Sequence, residues 1–406
     1  MVFKVLGGSR ICGETVASGS KNAALPVLFA TLLTDGVSTV RRVPDITDVA
    51  VAVRLIGTYG AVVRRTGDVL TVDTRKLHDA DPDPCLLSKI RGSSYLLGAA
   101  LARFSRVKIP QVGGCAFDTR PIDLHLFALA RLGARQDGDL LTCPRLRGAE
   151  IPFPKISVGA SVNALLAASS AEGESRILNA ASEPHIDSLM AFLRSAGAEI
   201  VRERDGAVRV CPGRLHGGEV TLCADTVEAG TSLVGGALTG GDVTVHRLPP
   251  EEIRAPLAVL AAVGCRVECG DGFVRVSGAP RVRGEVTTAP YPGFPTDLAP
   301  VFAPLFALCG GSVTETVWKN RFGYLSGLSS FGVRSAREGQ TAEILPSRFR
   351  PATAKAPDLR GGASLLLAAL AAEGESRVGD GELLLRGYEH LTEKFSALGA
   401  HIRSEP

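Results

Sequence analysis

The chain lacks any marked excess of charge. Its 406 residues carry 45 basic and 42 acidic side chains, a net +3. A general nucleic-acid binder would show a basic surplus, so that class is set aside. A local cationic pocket for a phosphorylated small molecule stays open. Paired cysteines are also missing. The nine, at positions 12, 85, 115, 143, 211, 223, 265, 269 and 309, are odd in number, scattered and without a CxxC pair. This argues against a disulfide framework and against a zinc site, and leads us to expect reduced thiols in a cytoplasmic protein. The opening MVFKVLGGSR has no apolar signal-peptide core. The longest apolar run, Leu298 to Cys309, is about a dozen residues interrupted by proline, where a membrane span needs about 20. A soluble protein with no membrane insertion is expected. At this length, and with 45% hydrophobic residues, there is material for two domains.

What the chain does have is a repeat. Six apolar segments end in a glycine followed by strand-like residues, as in IGTYGAVVRR, LARLGARQ, LRSAGAEIV, LAAVGCRVE, LSSFGVRSA and FSALGAHIR. The glycines, at 60, 133, 197, 264, 332 and 399, recur about every 64 to 73 residues, a spacing that reads as architecture. Glycine just past a helix suits a left-handed C-cap. After four of them a Gly-Asp or similar turn joins two strand-like runs, as in AVVRRTGDVLTVD. Each unit also holds an earlier helix that is apolar on all faces, such as SSYLLGAALARF or GGASLLLAALAA. Helices of that kind are core helices. Each unit therefore reads helix, strand, helix, strand, strand, with sheets outside and apolar helices inside. Three units per domain predict two similar lobes with a cleft between them. The first lobe is expected at residues 21–223, and the second at 1–20 plus 224–406. The N-terminal strand is expected to pair with the second lobe.

Chemistry-bearing residues gather at the starts of the apolar helices. Lys21 and Asn22 follow SGS, where Ser18 or Ser20 can cap the helix and free amides favour anions. Arg91 and Arg360 open two further core helices, and Arg321 and Arg386 lie in WKNRF and RGYE. Cations so placed in two lobes would build a pocket for a phosphate and a carboxylate. In QVGGCAFDTRPIDLH, Gly113 and Gly114 make the backbone before Cys115 permissive, and Arg120 precedes Pro121. A thiol near several cations has a depressed pKa and can serve as acid, base or nucleophile. Asp297, in YPGFPTDLAP, is either an N-cap or a general base. Asp358, in DLR, is placed to pair with a neighbouring arginine. Glu183 and His185, in SEPHID, read as a turn with a capping or solvated role.

SGSKNAALPVLFATLL, GGCAFDTRPIDLH, YPGFPTDL, TETVWKNRF, DLRGGASLLLAAL and RGYEHLTEKFSALGA together resemble the enolpyruvyl transferase family, in its UDP-N-acetylglucosamine 1-carboxyvinyltransferase branch. The resemblance runs from end to end and in order. It implies a two-domain inside-out α/β barrel of six repeated helix/strand units. It also implies transfer of the enolpyruvyl group of phosphoenolpyruvate to the 3-hydroxyl of UDP-N-acetylglucosamine, the first committed step of peptidoglycan synthesis. By that resemblance Cys115 is the loop acid, alkylated by fosfomycin, and Asp297 is the base. Lys21, Arg91, Arg120, Arg360 and Arg386 surround phosphoenolpyruvate, with Asp358 beside them. Asn22 holds the sugar. Arg120, Pro121, Asp123, Leu124 and His125 frame the uracil, and Lys155, Ser157, Val158 and Gly159 hold the diphosphate. Asp297 and Val317 complete the sugar contacts, Arg321 supports the site, and neither metal nor cofactor is required. Alternatives are another uridine nucleotide as acceptor, or a weakly active paralogue that binds UDP-sugar.

The chain departs from the family's pattern in several places. Asp118 replaces a glycine three residues after the cysteine. His185 stands in an expected EPE, and Thr226 replaces an arginine in an expected PDRIE. Leu383, Leu384 and Leu385 stand where a histidine and an aspartate precede the final arginine. It is therefore a divergent member, and these positions bear on its choice of acceptor.

Overall fold

The computed structural model describes residues 1–110 and 121–405. The described chain divides into two compact units, one of residues 1–18 with 224–405 and the other of 19–110 with 121–223. Each has its own apolar core.

The architecture is the inside-out α/β arrangement expected from the repeat. In the first unit the helices Thr226–Leu238, Ala299–Cys309 and Leu359–Ala371 pack on one another at the centre. Every residue from Val227 to Leu238 and from Leu359 to Leu370 is buried, the charged Glu228 and Arg360 included, as expected of a helix at the centre of a core. In the second unit Lys21–Ala30, Leu96–Phe104 and Val158–Ala168 hold the corresponding positions. The glycine endings close their helices as read. Gly60, Gly133, Gly197, Gly264, Gly332 and Gly399 all have positive φ, between 89° and 115°. The residue after each donates its amide five residues back, as Ala134 N–H does to Leu129 O at 3.0 Å and Ala400 N–H to Phe395 O at 2.9 Å. That is the Schellman closure, and it satisfies carbonyls the helix would otherwise leave bare.

The sheets add something the sequence pattern did not contain. Beside the expected hairpins lie short edge strands that precede the core helices and pair in parallel. Gly284–Thr287 runs beside Gly311–Thr314, Thr353–Lys355 beside Gly374–Gly379, and Glu150–Pro152 beside Ser175–Leu178. Strands of three or four residues are too short to show a period of two, and so carry no signal of their own. The N-terminal strand Val2–Gly7 lies antiparallel between Gly374–Gly379 and His401–Glu405. It takes the place that the second strand of a hairpin holds in the other sheets, so the last repeat is completed by the first residues of the chain.

Two capping expectations need correction. Ser20 occupies the N-cap of Lys21–Ala30 but makes no side-chain cap bond. Ser18 belongs to the other unit, where its hydroxyl donates to Glu389 and accepts from Lys394 Nζ at 2.6 Å. Lys394 also bonds the buried Glu228 at 2.5 Å. Glu183, read as a turn residue with a capping or solvated role, takes the N-cap position of helix Pro184–Ser195, but its side chain makes no cap bond. The eight described cysteines are free thiols. No described helix is long and apolar enough to cross a membrane.

Candidate active site

In the unit of residues 19–223, the candidate residues sit at the mouths of the core helices. Lys21 is the first residue of its helix, and its Nζ lies 3.3 Å from Asp48 Oδ2. Asp48 is buried in the first turn of helix Thr47–Thr58. Sequence reasoning missed it, because an acid in a first turn reads simply as a partner for the helix dipole. Asn22 is half-buried beside Lys21. Arg91 opens the 3₁₀ turn Arg91–Tyr95 that leads into Leu96–Phe104, and this turn packs on the first helix.

Pro121 leads into helix Asp123–Arg131, whose first turn carries Asp123, Leu124 and His125. The imidazole of His125 is buried, and its Nδ1 lies 2.7 Å from Asn163 Nδ2. An amide nitrogen only donates, so Nδ1 accepts and the ring proton sits on Nε2. Asn163 is oriented in turn: its Oδ1 accepts Gly98 N–H at 2.6 Å, and its Nδ2 faces Ser94 O at 3.1 Å. A side chain at Gly98 would drive its Cβ to 2.7 Å from Asn163 O, so glycine there lets the two helices touch. Asn163 was also missed, although a lone amide within the apolar GASVNALLAASSA is a visible signal.

Ser157 caps helix Val158–Ala168, its side chain accepting from Ala160 N–H at 3.4 Å. Gly159 lies against the His125 ring, where an added Cβ would come within 2.7 Å of Cε1. Lys155 is exposed ahead of this turn. The structure thus brings His125, Ser157, Val158 and Gly159 together at one helix start. Such an end presents unpaired amides, a polarity suited to an anion.

Burial first, and the charge of Arg91 second, push the His125 imidazole down to about 4. Its folded value lies below the unfolded one of about 6.5, so between those limits the unfolded chain takes up a proton that the folded chain does not. Stability should therefore fall as the pH drops from about 6.5 toward 4, by up to about 3 kcal/mol at ~1.4 kcal/mol per pH unit. Denaturant unfolding at pH 7 and pH 4.5 measures this loss. A His125→Gln variant that loses as much stability as the parent would refute the assignment.

In the other unit Asp297 is clamped. Arg321 Nη2 reaches its Oδ1 at 2.8 Å, and Arg360 Nε reaches its Oδ2 at 3.2 Å. Both arginines are buried, while the carboxylate is 29% exposed. The N-cap alternative for Asp297 fails: the following helix is Ala299–Cys309, its N-cap is Leu298, and the carboxylate is spent on the two guanidinium groups. Asp358 is the true cap, accepting from Arg360 N–H at 2.9 Å and Gly361 N–H at 3.0 Å. The expected pairing of Asp358 with an arginine side chain is therefore replaced by bonds to backbone. Nη1 and Nη2 of Arg360 are buried and meet no hydrogen-bond acceptor among the described residues. The guanidinium faces the ring of Tyr388, 5.3 Å from its centroid.

Val317 is exposed, with its amide bonded to the buried Glu315 at 2.8 Å. Arg386 ends the 3₁₀ segment Gly381–Arg386 and is half-buried. Of the three leucines before it, Leu384 is fully buried, while Leu383 and Leu385 pack on the core from its edge. An apolar brace thus stands where the resemblance implies a polar pair. Thr226 begins helix Thr226–Leu238, which Asp225 caps. Cys115, Arg120 and Asp118 lie outside the described residues.

With this geometry in hand, residues 5–395 match the profile of the EPSP synthase (3-phosphoshikimate 1-carboxyvinyltransferase) family. The chain is 39% identical over 409 residues to a UDP-N-acetylglucosamine 1-carboxyvinyltransferase 3 of Caldanaerobacter subterraneus subsp. tengcongensis, covering 98% of each chain. It is equally identical over 421 residues to a UDP-N-acetylglucosamine 1-carboxyvinyltransferase of Xanthobacter autotrophicus, again covering 98% of each. Among solved structures, the enolpyruvyl transferase NikO from Streptomyces tendae superposes with a TM-score of 0.86 at 27% identity, covering 99% of this chain and 98% of that one. EPSP synthase from Acinetobacter baumannii gives 0.74 at 17% identity over the whole of both chains, a likeness of fold alone.

Proposed function

Because the chain belongs to the EPSP synthase (3-phosphoshikimate 1-carboxyvinyltransferase) family, we propose that it transfers the enolpyruvyl group of phosphoenolpyruvate to the 3-hydroxyl of UDP-N-acetylglucosamine and releases phosphate. This would be the first committed step of peptidoglycan synthesis, carried out in the cytoplasm. The observation that carries the reading is the 39% identity, over nearly the full length of both chains, to enzymes named for that acceptor.

The chemistry is an addition followed by an elimination. An acid protonates the methylene carbon of phosphoenolpyruvate, and the sugar oxygen attacks the adjacent carbon as it loses its proton to a base. The tetrahedral ketal then loses a methyl proton and phosphate, leaving the enol ether. Cys115 is proposed as the acid and Asp297 as the base. The two arginines fix the direction of the Asp297 carboxylate. The buried terminal nitrogens of Arg360 are suited to a carboxylate or phosphate of the small substrate, which would supply acceptors for them. Lys21, Arg91, Arg120, Asp358 and Arg386 are proposed as further residues that bind phosphoenolpyruvate. In the other unit, Pro121, Asp123, Leu124 and His125 with Arg120 would frame the uracil. The helix start at Lys155, Ser157, Val158 and Gly159 would take the diphosphate. Asn22 and Val317 would contact the sugar.

Phosphate release from phosphoenolpyruvate with UDP-N-acetylglucosamine, with and without fosfomycin, tests the reading. No release with this acceptor, against release with another uridine nucleotide, would move the assignment to the other acceptor. A Cys115→Asp variant should retain activity, since a carboxylic acid can still donate a proton, and should escape fosfomycin, since the thiolate is gone. Continued inactivation of that variant by fosfomycin would remove Cys115 from its role.

A further inference from the structure

We infer that Glu315 is a positioning residue for the proposed base, acting through the hydroxyl of Thr296; the inference rests on the enolpyruvyl-transfer reading. Glu315 follows strand Gly311–Thr314 and is 1% exposed. Its Oε1 accepts from the Thr288 hydroxyl at 2.7 Å and from the amides of Val317 at 2.8 Å and Trp318 at 3.1 Å. Its Oε2 accepts from the Thr296 hydroxyl at 2.6 Å. No cation is among these partners. The carboxylate is held by two hydroxyls and two amides.

A carboxylate is expensive to bury, and one spent only on filling space would be better replaced by an apolar side chain. This one joins three segments that the chain itself keeps apart. Thr288 follows strand Gly284–Thr287, Thr296 adjoins Asp297, and Val317 is the proposed sugar contact. A second clamp works from outside, where Gln340 Nε2 donates to Glu315 O at 3.3 Å and to Trp318 O at 3.0 Å. Asp297 is thereby held at two ends. Its carboxylate lies between Arg321 and Arg360, and the backbone it projects from is anchored through Thr296 to Glu315. A base must point at the proton it removes, and small displacements cost rate steeply. Among the described residues no hydrogen bond or ion pair joins Arg360 to Glu315, so loss of the anchor should spare binding of phosphoenolpyruvate.

The test compares Thr296→Val, Thr296→Ser and Glu315→Gln in the full-length enzyme. It measures steady-state phosphate release per folded molecule together with thermal unfolding. Thr296→Val, which keeps the shape and deletes the hydroxyl, should lower kcat by about 10- to 100-fold with KM for phosphoenolpyruvate within about twofold of the parent. Thr296→Ser should restore kcat to within about threefold of the parent, because the hydroxyl is the anchor. Glu315→Gln keeps one acceptor oxygen for the two amides and should fall between them. If Thr296→Val shows only a lowered unfolding midpoint with parental kcat, or if serine fails to restore the rate, Glu315 merely supports the loop and the inference is overturned. Should Thr296→Val not fold, Glu315→Gln decides by the same split: a lower kcat at parental KM supports the inference, and parental kcat overturns it. An unaltered enzyme that releases no phosphate fails the functional reading itself, a result distinct from any variant behaving like its active parent.

Discussion

Asp297→Asn is expected to lower kcat by about 10²- to 10⁴-fold, the range lost when a positioned general base is removed. The substitution is nearly isosteric, so the loop's shape should survive, but its charge is also the partner of two buried guanidinium groups. Breaking a buried pair by removing one member costs about 3–5 kcal/mol. A domain in the middle of the ordinary range, about 10 kcal/mol, stays folded through that loss at 25 °C. The rate effect is therefore readable on folded protein, provided an unfolding curve is recorded alongside. Activity within about threefold of the parent would show that another group takes the sugar's proton, since base catalysis is worth far more than that. Asp297 would then be a structural counter-ion for Arg321 and Arg360.

Arg360→Lys separates charge from geometry. Lysine keeps the positive charge near Asp297 but loses the planar fork, and with it the two terminal nitrogens that meet no acceptor within the described protein. Hydrogen bonds to charged groups contribute about 1.5–3 kcal/mol each. KM for phosphoenolpyruvate should accordingly rise by about 10- to 100-fold, while KM for the nucleotide sugar moves much less. Steady-state kinetics with each substrate varied in turn measures both. A parental KM for phosphoenolpyruvate would mean that the guanidinium faces no substrate, and that its cover by Tyr388 is a matter of packing alone.

The positions of several candidate side chains were legible because they follow a local rule. Lys21, Arg91 and Arg360 all sit where an apolar helix begins, and a helix start is visible in the residues around it. The partners of these side chains were not legible. Asp48 for Lys21, Asn163 for His125, and Arg360 for Asp297 are 27, 38 and 63 residues apart. Glu315 joins Thr288 across 27 residues and Thr296 across 19. No periodicity links such pairs, and each polar residue alone reads equally well as a cap or a solvated charge. Asp297 and Asp358 illustrate the point: both stand just ahead of a core helix, and only packing made one a cap and the other the centre of an arginine clamp.

Fold class, the six-fold repeat and the glycine closures were decided along the chain, because hydrophobic spacing and backbone conformation act over a few residues. Which side chains meet was decided by the packing of helices against one another, at a register that depends on every intervening contact. The short parallel strands, and the N-terminal strand that completes the last repeat, belong to that second category. Their stability comes from neighbours supplied by distant segments, and three residues hold too little information to announce the partner they will find.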